Sequence, residues 1–108
     1  MPELRFDEHT IVVLRRPLDA PKFTEEELDE LQERHLAYLD SLRDRGILVA
    51  NGPFQDQDDE MLRGFCVFAV PLQEARRLMA GDPMVRVRRL EAVAATWLAP
   101  VGDVTFRS

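Results

Sequence analysis

The sequence predicts an α+β fold with the element order β-α-β-β-α-β, and three observations carry that reading. Short apolar and β-branched runs of strand length alternate with two helical patterns along the chain. The longer helical pattern opens on a complete set of capping signals. The strands are apolar on both faces, so the sheet that they form must be covered twice.

Thr10–Arg15 reads as the first strand, and Pro17 ends it. Asp19-Ala20-Pro21 follows as a turn or extended loop. The long helix spans Glu25–Arg45, with Thr24 as N-cap, Glu27 closing the capping box and Phe23 with Leu28 as a hydrophobic staple. Glu25 and Glu26 suit the positive end of its dipole, Arg43 and Arg45 the negative end, and Gly46 supplies the left-handed residue beyond it. Ile47–Asn51 is a short second strand closed by Gly52-Pro53, and the polar stretch Gln55–Glu60 is a loop within the domain. Gly64–Val70 is the third strand. Pro71–Ala80 is a second helix, with Pro71 suited to its first turn and Gly81 to its end. Asp82-Pro83 breaks the chain before a short turn or helix, and Glu91–Leu98 is the last strand, followed by an extended tail. This order is the ferredoxin-like split βαβ arrangement.

The two-sided strands predict an assembly. Ile11 and Val13 oppose Val12 and Leu14. In the third strand, Phe65, Val67 and Ala69 oppose Cys66, Phe68 and Val70. In the last, Val93, Ala95 and Trp97 oppose Ala94 and Leu98. Two helices cover one face of such a sheet. The other face is expected to meet the same sheet of a second copy, which makes the protein a homodimer.

A chain of 108 residues fits one domain, residues 1–108, with a real core. Its 14 Lys and Arg against 20 Asp and Glu leave a net charge of −6, with a pI near 4.9. That balance argues against nucleic acid or an anionic membrane surface as partner. No apolar run follows Met1-Pro2-Glu3-Leu4-Arg5, so neither a signal peptide nor a membrane span is expected, and a cytoplasmic location is the default. The single Cys66 offers no intrachain disulfide and reads as core, and no Cys/His spacing marks a metal site. There is no Gly-rich phosphate loop or dinucleotide fingerprint, so no cofactor is expected.

His35 is the exception among these ordinary features. Leu28, Leu31, Leu39 and Leu42 project within about 40° of it on a helical wheel, at the centre of the apolar stripe. A buried imidazole without a hydrogen-bond partner costs on the order of 1–3 kcal/mol. The candidate partner is Asp82, before Pro83. Two readings stand for each residue. His35 is either a satisfied core histidine or a base that does proton chemistry, and Asp82 either orients it or only caps the following turn. His35 with Asp82 would be two ligands, too few for a firm metal site.

The chain resembles the YciI-like (YCII-related) family of the dimeric α+β barrel superfamily, on features spread from about Thr10 to Trp97. They are the histidine in His35-Leu36-Ala37-Tyr38-Leu39, then Gly46-Ile47-Leu48 and Gly52-Pro53. Gly64-Phe65-Cys66-Val67, Glu74-Ala75, Asp82-Pro83-Met84-Val85 and Trp97 follow in order. The resemblance implies a ferredoxin-like protomer paired sheet to sheet, with a cavity between helix and sheet that holds a His–Asp pair, here His35 and Asp82. It implies a small-molecule substrate, since the superfamily includes isomerases, monooxygenases and dechlorinating enzymes. Where relatives often carry an Ala-Gly pair after the Asp-Pro-x-Val segment, this chain has Val87-Arg88.

The expected function is cofactor-independent general acid/base chemistry, such as isomerisation, elimination or a hydrolysis-type proton transfer, with His35 and Asp82 as catalytic residues. The alternative is a non-catalytic dimeric ligand-binding or regulatory module of the same fold. Candidate substrate-binding residues are Tyr38, one turn from His35, Arg15 at the first strand's end, and Gly52 and Pro53 as a backbone rim. Each has a plainer reading: a packing tyrosine, a solvated strand-end charge beside Arg16, and a turn. Arg86, Arg88 and Arg89 either neutralise the acidic surface, reach a partner copy or form an anion site.

Overall fold

The computed structural model describes residues 5–106; residues 1–4, read above for a leader, lie outside that range. The elements are β1 (Phe6–Arg15), α1 (Glu25–Asp44), β2 (Leu48–Pro53), β3 (Leu62–Phe68), α2 (Leu72–Met79), α3 (Pro83–Arg86) and β4 (Glu91–Pro100). The strands form one sheet in the order β2-β3-β1-β4, antiparallel throughout. This is the α+β, ferredoxin-like arrangement that the sequence predicts.

Strand bounds differ from the apolar pattern throughout: β2 is Leu48–Pro53 rather than Ile47–Asn51, β3 is Leu62–Phe68 rather than Gly64–Val70, and two further differences share one reason. β1 starts at Phe6 rather than Thr10, and β4 runs on to Pro100. Asp7, Glu8 and His9 break the apolar run, yet they pair with Ala99, Leu98 and Trp97 in register. A backbone ladder forms whatever the side chains, so a strand end that needs no burial shows no alternation. Asp7 also accepts a hydrogen bond from the Gly102 amide at 3.1 Å, tying this end to the turn after β4.

The long helix starts as its capping box predicts. The Thr24 hydroxyl accepts from the Glu27 amide at 3.2 Å, and the Glu27 carboxylate accepts from the Thr24 amide at 2.9 Å. Gly46 lies at φ 72° beyond its end. Pro71, by contrast, is the N-cap of α2 and not its first residue, with no side-chain cap bond. Gly81 is not in the left-handed region either; its role is spatial, as described below.

One face of the sheet is closed. Val12, Leu14, Cys66 and Phe68 are buried there with Leu31, Leu39 and Leu42 of α1 and Ala75, Leu78 and Met79 of α2. The opposite face is open. Phe65 is 37% exposed, Trp97 38% and Val93 48%, although Val67 on the same face is buried. Among the described residues no helix is long and apolar enough to cross a membrane.

Candidate active site

The site is built on the stripe that places His35 inward. Leu31, Leu39 and Leu42 are buried on the same side of α1, and His35 is 7% exposed among them. Asp82 is fully buried, at the short link between α2 and α3. His35 Nδ1 lies 2.7 Å from Asp82 Oδ1. The other carboxylate oxygen accepts from the backbone amides of Met84 at 3.0 Å and Val85 at 3.3 Å. The capping and pairing readings of Asp82 are therefore both true, one on each oxygen.

This geometry fixes a tautomer. A carboxylate accepts, so Nδ1 carries the proton that it receives, and in the neutral ring Nε2 holds the lone pair. Nε2 has no protein partner among the described residues, and the ring forms part of the wall of a cavity of about 260 Å³. The cavity lies between α1, the ends of β2 and β3, and the segment after α3, with Leu14, Leu39, Met84 and Leu90 as its apolar lining. Gly52 and Pro53, at the end of β2, are among its lining residues.

The rim depends on a close approach. A Cβ on Gly64 would lie 2.6 Å from the Gly52 carbonyl oxygen and 3.1 Å from the Pro53 Cα, both backbone atoms. Only glycine lets β3 pass β2 at that point.

Two expected ligand contacts are absent from the cavity. Tyr38 donates to the Leu78 carbonyl at 2.6 Å and packs between α1 and α2, because its position on the stripe turns it toward α2. Burial first, then the Asp82 charge, pushes the Tyr38 hydroxyl pKa up. Arg15 pairs with Glu91 of β4 at 2.6 Å instead. Its neighbour Arg16 lines the cavity, two residues beyond the buried Leu14. Period-two alternation along β1 is the signal for this, since it puts residues 14 and 16 on one side and residue 15 on the other.

Arg63 and Arg89 complete a group that the sequence leaves scattered. Both line the same cavity as Arg16. Burial, then the positive charges of Arg63 and Arg89, lowers the Arg16 pKa. Arg89 follows Arg88, which holds φ 63° without being a glycine. Arg88 occupies the second position of the Val87-Arg88 departure, and its side chain turns outward to lie 3.9 Å from Asp19.

Cys66 also touches the cavity, but burial, helped by the Asp82 charge, pushes its thiol up to about 12. A thiol held neutral is no nucleophile near neutrality.

Comparison with known proteins agrees with the fold. The YCII-related domain family matches residues 10–96. No curated protein sequence matches the chain. Among solved structures, the fold is similar to 5-chloro-2-hydroxyhydroquinone dehydrochlorinase from Burkholderia phenoliruptrix, determined with 2,5-dihydroxybenzoquinone. The TM-score is 0.60 at 16% identity, over 82% of this chain and 92% of that one.

Proposed function

The chain belongs to the YCII-related domain family, and from that premise we propose that it is a small-molecule enzyme in which His35, oriented by Asp82, acts as general acid/base without a cofactor. The observation that carries this reading is the 2.7 Å bond from Nδ1 to Asp82, made by a ring that also lines the cavity. Nε2 takes a proton from the substrate, and the imidazolium so formed is stabilised by the Asp82 carboxylate. That carboxylate is held in place by the Met84 and Val85 amides, so little reorganisation accompanies the charge.

Elimination is the reaction class that fits best. Nε2 removes a proton from one carbon, the electron pair of that C–H bond forms the new double bond, and the leaving group departs from the adjacent carbon with its own pair. The structurally similar dehydrochlorinase carries out a reaction of this class by its name. Isomerisation uses the same first step, with the proton returned to another atom.

The functional unit in this proposal is a homodimer. Phe65, Val93 and Trp97 stand on the open face with Ile11, Val13 and Ala95, an apolar surface that a second copy of the sheet would cover.

Nitrogen NMR of the imidazole tests the acid/base reading without a known substrate. The Nδ1–H tautomer is expected in the neutral ring. An Nε2–H tautomer would leave no lone pair on the cavity and would end the proposal. With a turned-over substrate in hand, such as a chlorinated hydroxyhydroquinone, His35→Asn is expected to abolish turnover. Binding retained without any turnover in the wild type would favour the ligand-binding module instead.

A further inference from the structure

We propose that Arg16, Arg63 and Arg89 form an anion-binding subsite of the His35 cavity, so that the substrate is a small molecule carrying a carboxylate or a comparable delocalised oxyanion. This deepens the acid/base reading by naming the substrate class, and it rests on that reading only for the reaction, not for the binding.

Three guanidinium groups from different parts of the chain meet at this cavity. Arg16 follows β1, Arg63 lies in β3, and Arg89 lies between α3 and β4. Among the described residues, none of the three has a carboxylate within 4.0 Å. The cavity wall itself contains no aspartate or glutamate. That is against the composition of the chain, in which acids outnumber bases 20 to 14. Arg15, Arg77 and Arg88 each face an acidic partner; the cavity arginines do not.

Their donors are also unspent. The Nε atoms of Arg16 and Arg89 are buried and have no hydrogen-bond acceptor. Arg63 offers one nitrogen to the Glu60 carbonyl at 3.2 Å and keeps its other donors. Buried donors without acceptors, on cations that repel one another, are unfavourable in the empty protein. An oxyanion answers both deficits, because a carboxylate accepts two parallel N–H bonds from a guanidinium and neutralises its charge.

The placement also suits the reaction. His35 lines the same cavity, so an anion held by the arginines brings the rest of a small substrate to the imidazole. If the proton leaves a carbon next to a carbonyl or carboxylate, the electron pair moves onto oxygen. The guanidinium cluster then stabilises the enolate as it forms.

Benzoate and benzamide, of nearly the same shape and different charge, are the probes. Binding is followed by amide chemical shifts and by titration calorimetry. Benzoate is expected to bind and to shift residues of the cavity wall, with benzamide at least tenfold weaker. Arg16→Gln and Arg89→Gln are each expected to weaken benzoate tenfold or more, while raising the melting temperature of the ligand-free protein. That rise separates a functional cluster from a structural one, since removal of a structural cation lowers it. Equal binding of the two probes, no benzoate binding, or a fall in melting temperature with unchanged affinity overturns the subsite. Loss of the Nδ1–H tautomer with benzoate binding intact removes the acid/base reading alone.

Discussion

The Tyr38 hydroxyl sits directly over Gly81: a Cβ at that glycine would lie 2.8 Å from the oxygen. The hydroxyl bonds the Leu78 carbonyl at 2.6 Å, and so joins α1 to the end of α2 next to Asp82. Glycine is needed there for space and not for a left-handed turn.

Gly81→Ala therefore pushes the hydroxyl off Leu78, and Tyr38→Phe removes it. Each is expected to cost about 1 kcal/mol of stability, the worth of one hydrogen bond. In the double variant the costs should not add, because the added methyl group no longer has an oxygen to displace. Chemical denaturation of the four proteins checks this, and full additivity would count against the contact.

Thr24→Ala is expected to cost about 1 kcal/mol through loss of the α1 N-cap. The partner carboxylate carries a pH signature. Hydrogen bonds from the Thr24 backbone and side chain hold the Glu27 pKa below its usual value. A depressed carboxylate stabilises the fold above its unfolded value and loses that contribution as pH falls through the folded one. The acid limb of a stability-against-pH curve should be flatter in the Glu27→Gln variant.

Cys66 should resist alkylation in the native protein at pH 8 and react readily once unfolded. Its thiol is pushed from 9.0 up to about 12. Here the sign is reversed from Glu27. The unfolded chain loses its thiol proton first, so stability falls as pH rises from about 9 toward about 12. Cys66→Ala should lack that component of the alkaline loss.

Val93→Lys is expected to convert a dimer to a monomer in sedimentation velocity at micromolar concentration. Val93 is 48% exposed on the open face and opposite Val13 in the sheet. A charge there has no partner once the face is covered. A wild-type protein that sediments as a monomer would remove the assembly from the proposal.

The fold was largely legible because it rests on local signals: the capping box, the proline and glycine punctuation, and the parity of apolar residues. His35 was legible for a related reason, since a polar residue on an apolar stripe demands a partner. Its pairing with Asp82 came from the family resemblance, because an aspartate before a proline reads equally well as a turn cap. The arginine group was not: Arg89 carried an anion-site reading only together with Arg86 and Arg88, while Arg16 and Arg63 lie tens of residues away and each resembles a solvated charge when read alone. Only the pairing of β1 with β3 and the turn at Arg88 bring them to one hollow. Arg15 and Arg16 show how narrow the margin is, since one step along a strand changes the face.

Asp82 leaves a last consequence. One oxygen aims an imidazole, and the other holds the first turn of the segment that carries Met84, Leu90 and Arg89 toward the cavity. Orientation of the ring and position of that wall are thus a single mechanical setting. A change that tilts α3 also tilts His35, whereas Arg16, directly after β1, and Arg63, within β3, are free of that linkage. Variation in what the cavity holds is cheapest on the sheet side, and there a lineage could exchange one ligand for another while the imidazole stayed in place.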